Sequence, residues 1–220
     1  MEKQPDHICP EEVQILFQCA DWVVCVKPVG LDSEKTFPDL LSRTLGVQVR
    51  PVHRLDLNVG GLMIYALTAP AARKLSQLIQ EGSLIKEYVL ICRGSLPERE
   101  GRMEDLLWKD SRKNKVFVVS RPRNGVKKAA LTYRVLRPAD PDGTLVRVRL
   151  ETGRSHQIRI QFASRGFPLR GDHKYGARDR EKFPALFSCA LSFPWRGEQQ
   201  TFEKMPPWAE EEMVSYGSEG

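Results

Sequence analysis

One segment of the sequence places a carboxylate close to two basic side chains, just before an apolar run. Within residues 51–61, Asp56 lies two positions after Arg54 and three after His53, and the apolar residues 62–67 follow a glycine pair. This run predicts a strand buried on both faces. In an extended segment Arg54 and Asp56 project to the same side, and a nearby cation can keep a carboxylate ionised in a cleft. The spacing fits both a loop ion pair and a catalytic aspartate.

A second segment, residues 152–159, combines a predicted helix start with basic side chains. Ser155 is the expected N-cap of a helix that continues to about residue 166. Free amides and arginines at such a start favour an anion, and Arg159 lies one turn after the expected cap. His156 in this segment fits three roles: a base, a phosphate contact or a structural histidine with satisfied hydrogen bonds.

These segments resemble the RluA-type RNA pseudouridine synthase family. The resemblance rests on residues 53–56 with the glycines after them, 86–88 through 94, 152–159 and 171–176, and it extends over about residues 12–195. It implies an α+β fold with a mixed, largely antiparallel sheet, flanking helices and an active-site cleft. It also implies an enzyme that isomerises uridine to pseudouridine in tRNA or rRNA, with no metal and no nucleotide coenzyme.

The resemblance also implies roles for four side chains. Asp56 is the expected catalytic residue, which either attacks C1′ of the ribose or removes a proton from C2′. Arg159 is expected to pair with Asp56 and orient it. Tyr88 is expected to pack against the flipped-out base and help remove the C5 proton, and Arg54 to fill the space that the base leaves in the RNA.

The chain departs from the family pattern in two places. Asn58 and Val59 stand where the family more often has threonine and serine, so a hydroxyl that could contact RNA is missing. Histidines that the family usually carries near the positions of Phe187 and Trp195 are absent as well. These departures concern substrate identity rather than the catalytic aspartate.

Residues 109–134, here called the basic ribbon, hold nine lysines and arginines against a single acid, Asp110. The strand-forming residues 116–119 in their midst predict a hairpin or protruding ribbon. Such a charge run is either a solvated face or a surface that tracks phosphates, and the implied activity favours the second. The full set of expected RNA contacts is Lys86, Arg112, Lys113, Arg121, Arg123, Arg154 and His156.

Composition limits the remaining possibilities. The net charge is +6, and without the last thirteen residues 34 basic face 24 acidic side chains, a net charge of +10 that suggests a polyanionic partner. Five scattered cysteines indicate reduced thiols in a cytoplasmic protein. We expect an N-terminal tail over residues 1–10, one catalytic domain over 11–207 and an acidic tail over 208–220. The expected form is a monomer with RNA as its partner and no membrane association.

The elements that must position these residues are readable from hydrophobic periodicity and turn signals. The pattern predicts strands at 13–17, 22–26, 85–92, 116–119 and 186–193, an antiparallel pair at 131–136 and 145–150, and helices at 38–45 and 70–80. Prolines at 194, 206 and 207 are expected to end regular structure.

Two other function classes fit parts of the sequence. A non-catalytic RNA-binding protein with the same fold would need neither Asp56 nor its partner Arg159. A glycosidic-bond hydrolase of another family would need a second carboxylate at suitable spacing, and the sequence offers none.

Overall fold

A computed structural model describes residues 13–139 and 143–214 of the chain. The expected N-terminal tail at residues 1–10 and most of the predicted turn at 141–143 lie outside the described residues. The described strands are β1 (Ile15–Gln18), β2 (Trp22–Lys27), β3 (Arg50–Pro51), β4 (Gly60–Ala66), β5 (Ile85–Arg93), β6 (Glu100–Asp110), β7 (Lys115–Val119), β8 (Val126–Ala139), β9 (Gly143–Leu150), β10 (Leu186–Trp195) and β11 (Glu198–Glu203). The helices are α1 (Thr36–Leu45), α2 (Ala69–Gln80), α3 (Gln157–Ala163) and α4 (Pro207–Val214).

The described strands form one sheet in the order β1-β2-β4-β10-β5-β9-β8-β6-β7, with β11 paired to β10 and β3 to β4. All pairings are antiparallel except that of β4 with β10. Strand β10 therefore joins the part of the sheet built from β1–β4 to the part built from β5–β9. This is the mixed, largely antiparallel α+β architecture that the sequence predicts.

Two apolar clusters cover opposite faces of the sheet. Alternate residues of β2 belong to different clusters, because successive side chains of a strand point to opposite faces. One cluster packs α1 and α3 against the sheet, and the other packs α2. The central strand β4 is buried along its whole length, as its uninterrupted apolar run predicts.

Helix α2 shows how the local sequence fixes an element. Thr68 caps it, since its hydroxyl accepts the Ala71 amide at 3.2 Å, and Pro70 occupies the first turn. Leu75 and Leu78 are buried on the face that contacts the sheet. No helix among residues 13–139 and 143–214 has both the length and the apolar character needed to cross a membrane.

The structure corrects three sequence-based expectations. Helix α3 begins at Gln157, and its N-cap is His156 in the left-handed region rather than Ser155. The chain after Pro206 forms a helix, α4, whose Ala209 is fully buried, so regular structure continues where prolines predicted its end. Strands β6 and β11 are additional to the prediction, because charged and polar residues dominate their sequences.

Candidate active site

A network of hydrogen bonds fixes the loop that carries Asp56. The Ser33 hydroxyl donates to the Leu55 carbonyl and accepts the Leu55 amide, both at 3.0 Å. The Tyr65 hydroxyl of strand β4 donates to the Ser33 carbonyl at 2.9 Å. The Asp56 carbonyl accepts the Val59 amide at 3.0 Å and closes a tight turn. The buried strand therefore sets the position of the aspartate through its own tyrosine.

The glycine pair after this loop lets β10 approach β4. Gly61 has φ of +123° and pairs with Ser188 across the parallel contact of the two strands. A Cβ at this position would collide with the Ser188 amide nitrogen and lie 2.5 Å from its carbonyl oxygen. Only glycine fits here, because backbone atoms surround the position and left-handed φ disfavours other residues.

Arg159 joins Asp56 to a second, more deeply buried aspartate. Its Nε and Nη2 donate to the two carboxylate oxygens of Asp172 at 2.7 and 2.8 Å, and its Nη1 donates to Asp56 at 3.0 Å. Side-chain exposure is 6% for Arg159, 1% for Asp172 and 16% for Asp56. The bidentate bond to Asp172 fixes the guanidinium plane, so one N–H is directed at a carboxylate that opens to the cleft.

The protonation state of Arg159 follows from these partners. Burial by itself lowers the pKa of the guanidinium, but the hydrogen bonds and charges of Asp172 and Asp56 outweigh it and raise the pKa. Arg159 therefore stays cationic at any working pH. The Arg159 guanidinium thus lies between the carboxylates of Asp172 and Asp56 and donates to both.

His156 and Tyr175 border the same carboxylate. His156 Nε2 lies 3.9 Å from an Asp56 oxygen, and Nδ1 lies 2.8 Å from the Tyr175 hydroxyl. The Tyr175 oxygen also accepts the Val116 amide at 2.9 Å. Burial is the largest of several influences that lower the pKa of His156, so the ring is neutral near pH 7.

Tyr88 and Lys86 reach the site from strand β5. Both line a cleft of about 900 Å³ that also contains Asp56, Arg159 and His156. Burial, followed by the charge of Asp56, raises the pKa of Tyr88 above its usual range, so the phenol stays protonated at neutral pH. Burial lowers the pKa of Lys86.

Arg54 lies at the mouth of this cleft and does not pair with Asp56. Its Nη1 donates to Glu34 at 3.1 Å, and its side chain is 56% exposed. The Arg54–Asp56 ion pair that the spacing permits is therefore not formed, and Asp56 pairs with Arg159 instead. An exposed arginine at the rim is free to change partners when a ligand enters.

Lys27, the last residue of β2, is a buried cation near the site that the sequence analysis did not single out. Its Nζ donates to the carbonyls of Pro28 and Leu31 at 2.8 and 2.9 Å. Burial lowers the pKa of Lys27 to about 8, although Asp56 and Asp32 act in the opposite direction. Pro28 and Gly30, which follow it, are typical of a turn. Nothing in the sequence indicates that the lysine before them is buried.

The predicted RNA-binding residues lie on two parts of the surface. Arg112 and Lys113 occupy the turn between β6 and β7, where Asp110 accepts their amides at 3.0 and 3.1 Å. Arg121 and Arg123 lie between β7 and β8, and the Arg123 guanidinium lies 4.6 Å from the centre of the Trp108 ring. Within the basic ribbon β6 and β7 form an antiparallel hairpin, as predicted, and β8 pairs with the other edge of β6.

Arg154 belongs to the rim of the cleft instead. Its Nε donates to the Lys128 carbonyl at 3.0 Å, which ties the segment before α3 to strand β8. Gln157 strengthens the same tie, because its amide group bonds Thr152, Arg154 and Ala130 at 2.8 to 3.0 Å. In the described part of the chain, no group of three acidic, histidine or cysteine side chains is placed to hold a metal ion.

Comparison with known proteins adds three findings. Residues 21–164 match the family model described as RNA pseudouridylate synthase. The chain is 30% identical over 225 residues to the protein named "Uncharacterized RNA pseudouridine synthase YlyB" of Bacillus subtilis, covering 93% of this chain and 73% of that one. It is also 30% identical to "Ribosomal large subunit pseudouridine synthase D" of Zymomonas mobilis, covering 86% of this chain and 64% of the relative.

A solved structure shows the same fold. The protein titled "Human RNA Pseudouridylate Synthase Domain Containing 1" superposes with a TM-score of 0.80 at 23% sequence identity. The superposition covers 94% of this chain and 87% of that one.

Proposed function

The chain belongs to the RNA pseudouridine synthase family, and we propose that Asp56 is the carboxylate with which it isomerises a uridine of ribosomal RNA. The observation that carries this proposal is the Arg159 guanidinium, which is fixed by Asp172 and donates to Asp56 at 3.0 Å. A buried arginine held in this way orients the aspartate to which it donates at the bottom of a cleft.

The reaction needs one such carboxylate. The C1′–N1 bond breaks, the uracil turns, and C5 bonds to C1′, while the proton lost from C5 is balanced by the proton gained at N1. Asp56 as a nucleophile at C1′ and Asp56 as a base at C2′ both require the ionised form. A hydrolase must also activate water and therefore uses two carboxylates, whereas here the leaving base is itself the incoming nucleophile.

The cleft supplies the other requirements of the reaction. Tyr88 is buried beside Asp56, and the pKa of its hydroxyl is raised. Its uncharged phenol ring is therefore suited to pack against the flipped-out uracil. Arg54 at the rim can exchange Glu34 for the RNA and occupy the space that the base leaves. Unstacking the target costs a few kcal/mol, and this replacement offsets part of that cost.

Ribosomal RNA is the proposed substrate class because several relatives carry the name "Ribosomal large subunit pseudouridine synthase D". Mapping pseudouridine in total RNA from cells with and without the gene tests this. We expect a site in ribosomal RNA that disappears with the gene and returns with the wild-type copy. Loss of sites in tRNA alone would contradict the proposed substrate.

The basic ribbon is proposed to hold the phosphates of this RNA. Replacing Arg112, Lys113, Arg121 and Arg123 by alanine should reduce the slope of log affinity against log salt by roughly 3 units, because each phosphate contact adds roughly 0.7 to 0.9. The rate at saturating RNA should change little, since none of these four residues lines the cleft. Filter binding at several salt concentrations and single-turnover rates provide the measurements.

Helix α2 offers a matched control for this experiment. Arg73 and Lys74 are also adjacent, basic and exposed, but they belong to α2. This helix packs against the face of the sheet opposite to α1 and α3. The Arg112→Ala, Lys113→Ala double variant should reduce the slope by roughly 1.5 units, because two phosphate contacts are lost, and the Arg73→Ala, Lys74→Ala variant should keep the wild-type slope. Equal slopes for the two variants would show that the ribbon is only a solvated surface.

A further inference from the structure

A chain of polar contacts leads from the backbone of the basic ribbon to the Asp56 carboxylate. The Val116 amide of strand β7 donates to the Tyr175 oxygen at 2.9 Å. That hydroxyl lies 2.8 Å from His156 Nδ1. His156 Nε2 then faces an Asp56 oxygen across 3.9 Å. The proposed reaction as described above uses neither Tyr175 nor His156.

The hydrogen positions along this chain depend on the tautomer of His156, and one tautomer gives each polar group in the chain a partner. The Tyr175 oxygen accepts the Val116 N–H, and its own hydrogen is available for Nδ1 of His156. A neutral imidazole that accepts at Nδ1 carries its proton on Nε2. In this tautomer the N–H of His156 points toward the carboxylate and the cleft, so a donor and an acceptor face each other.

We propose that His156 Nε2–H and the Asp56 carboxylate together bind one hydroxyl of the target ribose, its 2′-OH, and that Tyr175 positions His156 for this contact. The inference rests on the proposed function, because it assumes that the target sugar lies against Asp56. Two atoms 3.9 Å apart are too distant to bond each other well. One oxygen at about 2.8 Å from each of them can accept the N–H and donate to the carboxylate.

Ribose chemistry favours the 2′-OH as the bridging group. This hydroxyl is adjacent to C1′, the carbon at which the glycosidic bond breaks, so a carboxylate that acts at C1′ or C2′ must lie near it. It is both a donor and an acceptor, and it distinguishes RNA from DNA. The facing N–H and carboxylate match those two properties.

The backbone of His156 is consistent with a residue held for such a contact. Its φ is +50°, in the left-handed region that residues with a Cβ seldom adopt. Its ring meets the Tyr175 ring edge-on, with centroids 5.7 Å apart. Lys174 also donates to the Asn114 carbonyl at 2.8 Å, so the segment that carries Tyr175 is tied twice to the ribbon.

The groups that face His156 act on its pKa in both directions, and their net effect with burial is a lowered pKa. Burial lowers its pKa, Arg159 and Lys174 act in the same direction, and Asp56 and Asp172 oppose them. Burial raises the pKa of Tyr175 to about 12, so its hydroxyl keeps the hydrogen that Nδ1 accepts.

The first test is the tautomer of His156 in the wild-type protein. Nitrogen-15 NMR separates a protonated ring nitrogen from an unprotonated one, and the chain has four histidines, so a His156→Ala spectrum assigns the signals. We expect Nδ1 unprotonated and Nε2 protonated at pH 7. A proton on Nδ1, or a doubly protonated ring, would overturn the proposal.

The second test compares uridine with 2′-deoxyuridine at the target position, in wild type and in the variants. For wild type, a single 2′-deoxyuridine at the target position should lower kcat/KM at least roughly tenfold, since the site's polar atoms then lose their partner. In His156→Ala the same change in the RNA should cost less than about threefold. In Tyr175→Phe the loss of kcat/KM caused by 2′-deoxyuridine should lie between those of wild type and His156→Ala. The nitrogen-15 signal of His156 Nδ1 should also shift in this variant.

The matched control is His173→Ala. His173 is exposed, and its ring nitrogens contact the carbonyls of Ala177 and Glu181. This variant should discriminate between the two sugars as wild type does. If His156→Ala does not fold, Tyr175→Phe and the wild-type tautomer decide the question.

Failure of the inference can be told from failure of the proposed function. Full discrimination by His156→Ala, with Asp56→Asn inactive, overturns the role of His156 and leaves the proposed function standing. An active Asp56→Asn removes the proposed function instead.

Discussion

Replacing Asp56 by asparagine should reduce isomerisation to below about 1% of wild type while folding and RNA affinity are retained. The amide fills the same space and can still contact Arg159, but it can neither attack C1′ nor remove a proton from C2′. Tritium release from RNA with 5-tritiated uridine measures turnover, because the C5 proton leaves only when C5 bonds to C1′. Filter binding of the same RNA measures affinity.

A suitable control is Asp21→Asn. Asp21 also pairs with an arginine, Arg196, at 2.6 Å, but this ion pair lies outside the cleft and is exposed on its arginine side. It should retain full turnover, because an exposed ion pair contributes little. Turnover by Asp56→Asn above a few per cent of wild type would contradict the catalytic assignment and favour a protein that binds RNA without modifying it.

Replacing Gly61 by alanine should lower the free energy of unfolding by about 3 kcal/mol or more. The new methyl group would overlap the Ser188 backbone, and neither strand can move without breaking the contact between β4 and β10. A folded fraction of the variant should also lose activity, because this contact joins the strand after Asp56 to the part of the sheet that carries Tyr88. Urea unfolding followed by circular dichroism provides the measurement.

Gly82→Ala separates collision from backbone strain. Gly82 also has a left-handed φ, +74°, but a Cβ there would meet no atom within 4 Å. It should cost only about 1 kcal/mol, the usual penalty for the left-handed conformation. Similar losses for the two variants would mean that the approach to Ser188 is unimportant.

Local sequence patterns predicted most of the strands and helices, whereas the family resemblance predicted the fold class and the members of the site. The apolar run after Gly61 and the capped periodicity of α2 specify a buried strand and a surface helix without any tertiary information. The Asp56–Arg159 pair joins residues about half the chain apart, and only the family resemblance brought them together. Physical spacing alone suggested Arg54 as the partner of Asp56.

What the sequence missed depends on tertiary contacts. Strand β6 has only Met103 and Leu107 buried, so its sequence lacks the alternating apolar pattern that predicts a strand. Pairing with β7 and β8 on its two sides stabilises it. His156 rather than Ser155 is the N-cap of α3, and its ring is bordered by Tyr175 and Asp56, which are distant in sequence. The bidentate partner Asp172 stands in a motif that marked the family, but nothing local assigns its carboxylate to Arg159.

The position of β10 in the sheet has a consequence for synthesis on the ribosome. Strands β4 and β5 are both neighbours of β10 rather than of each other, and β10 comes late in the chain. Until residues 186–195 have emerged, each of these strands carries an open edge, and open edges favour pairing with other chains. The nascent protein therefore completes its active site only after β10 has emerged, and the interval before that point is when we expect it to depend most on chaperones.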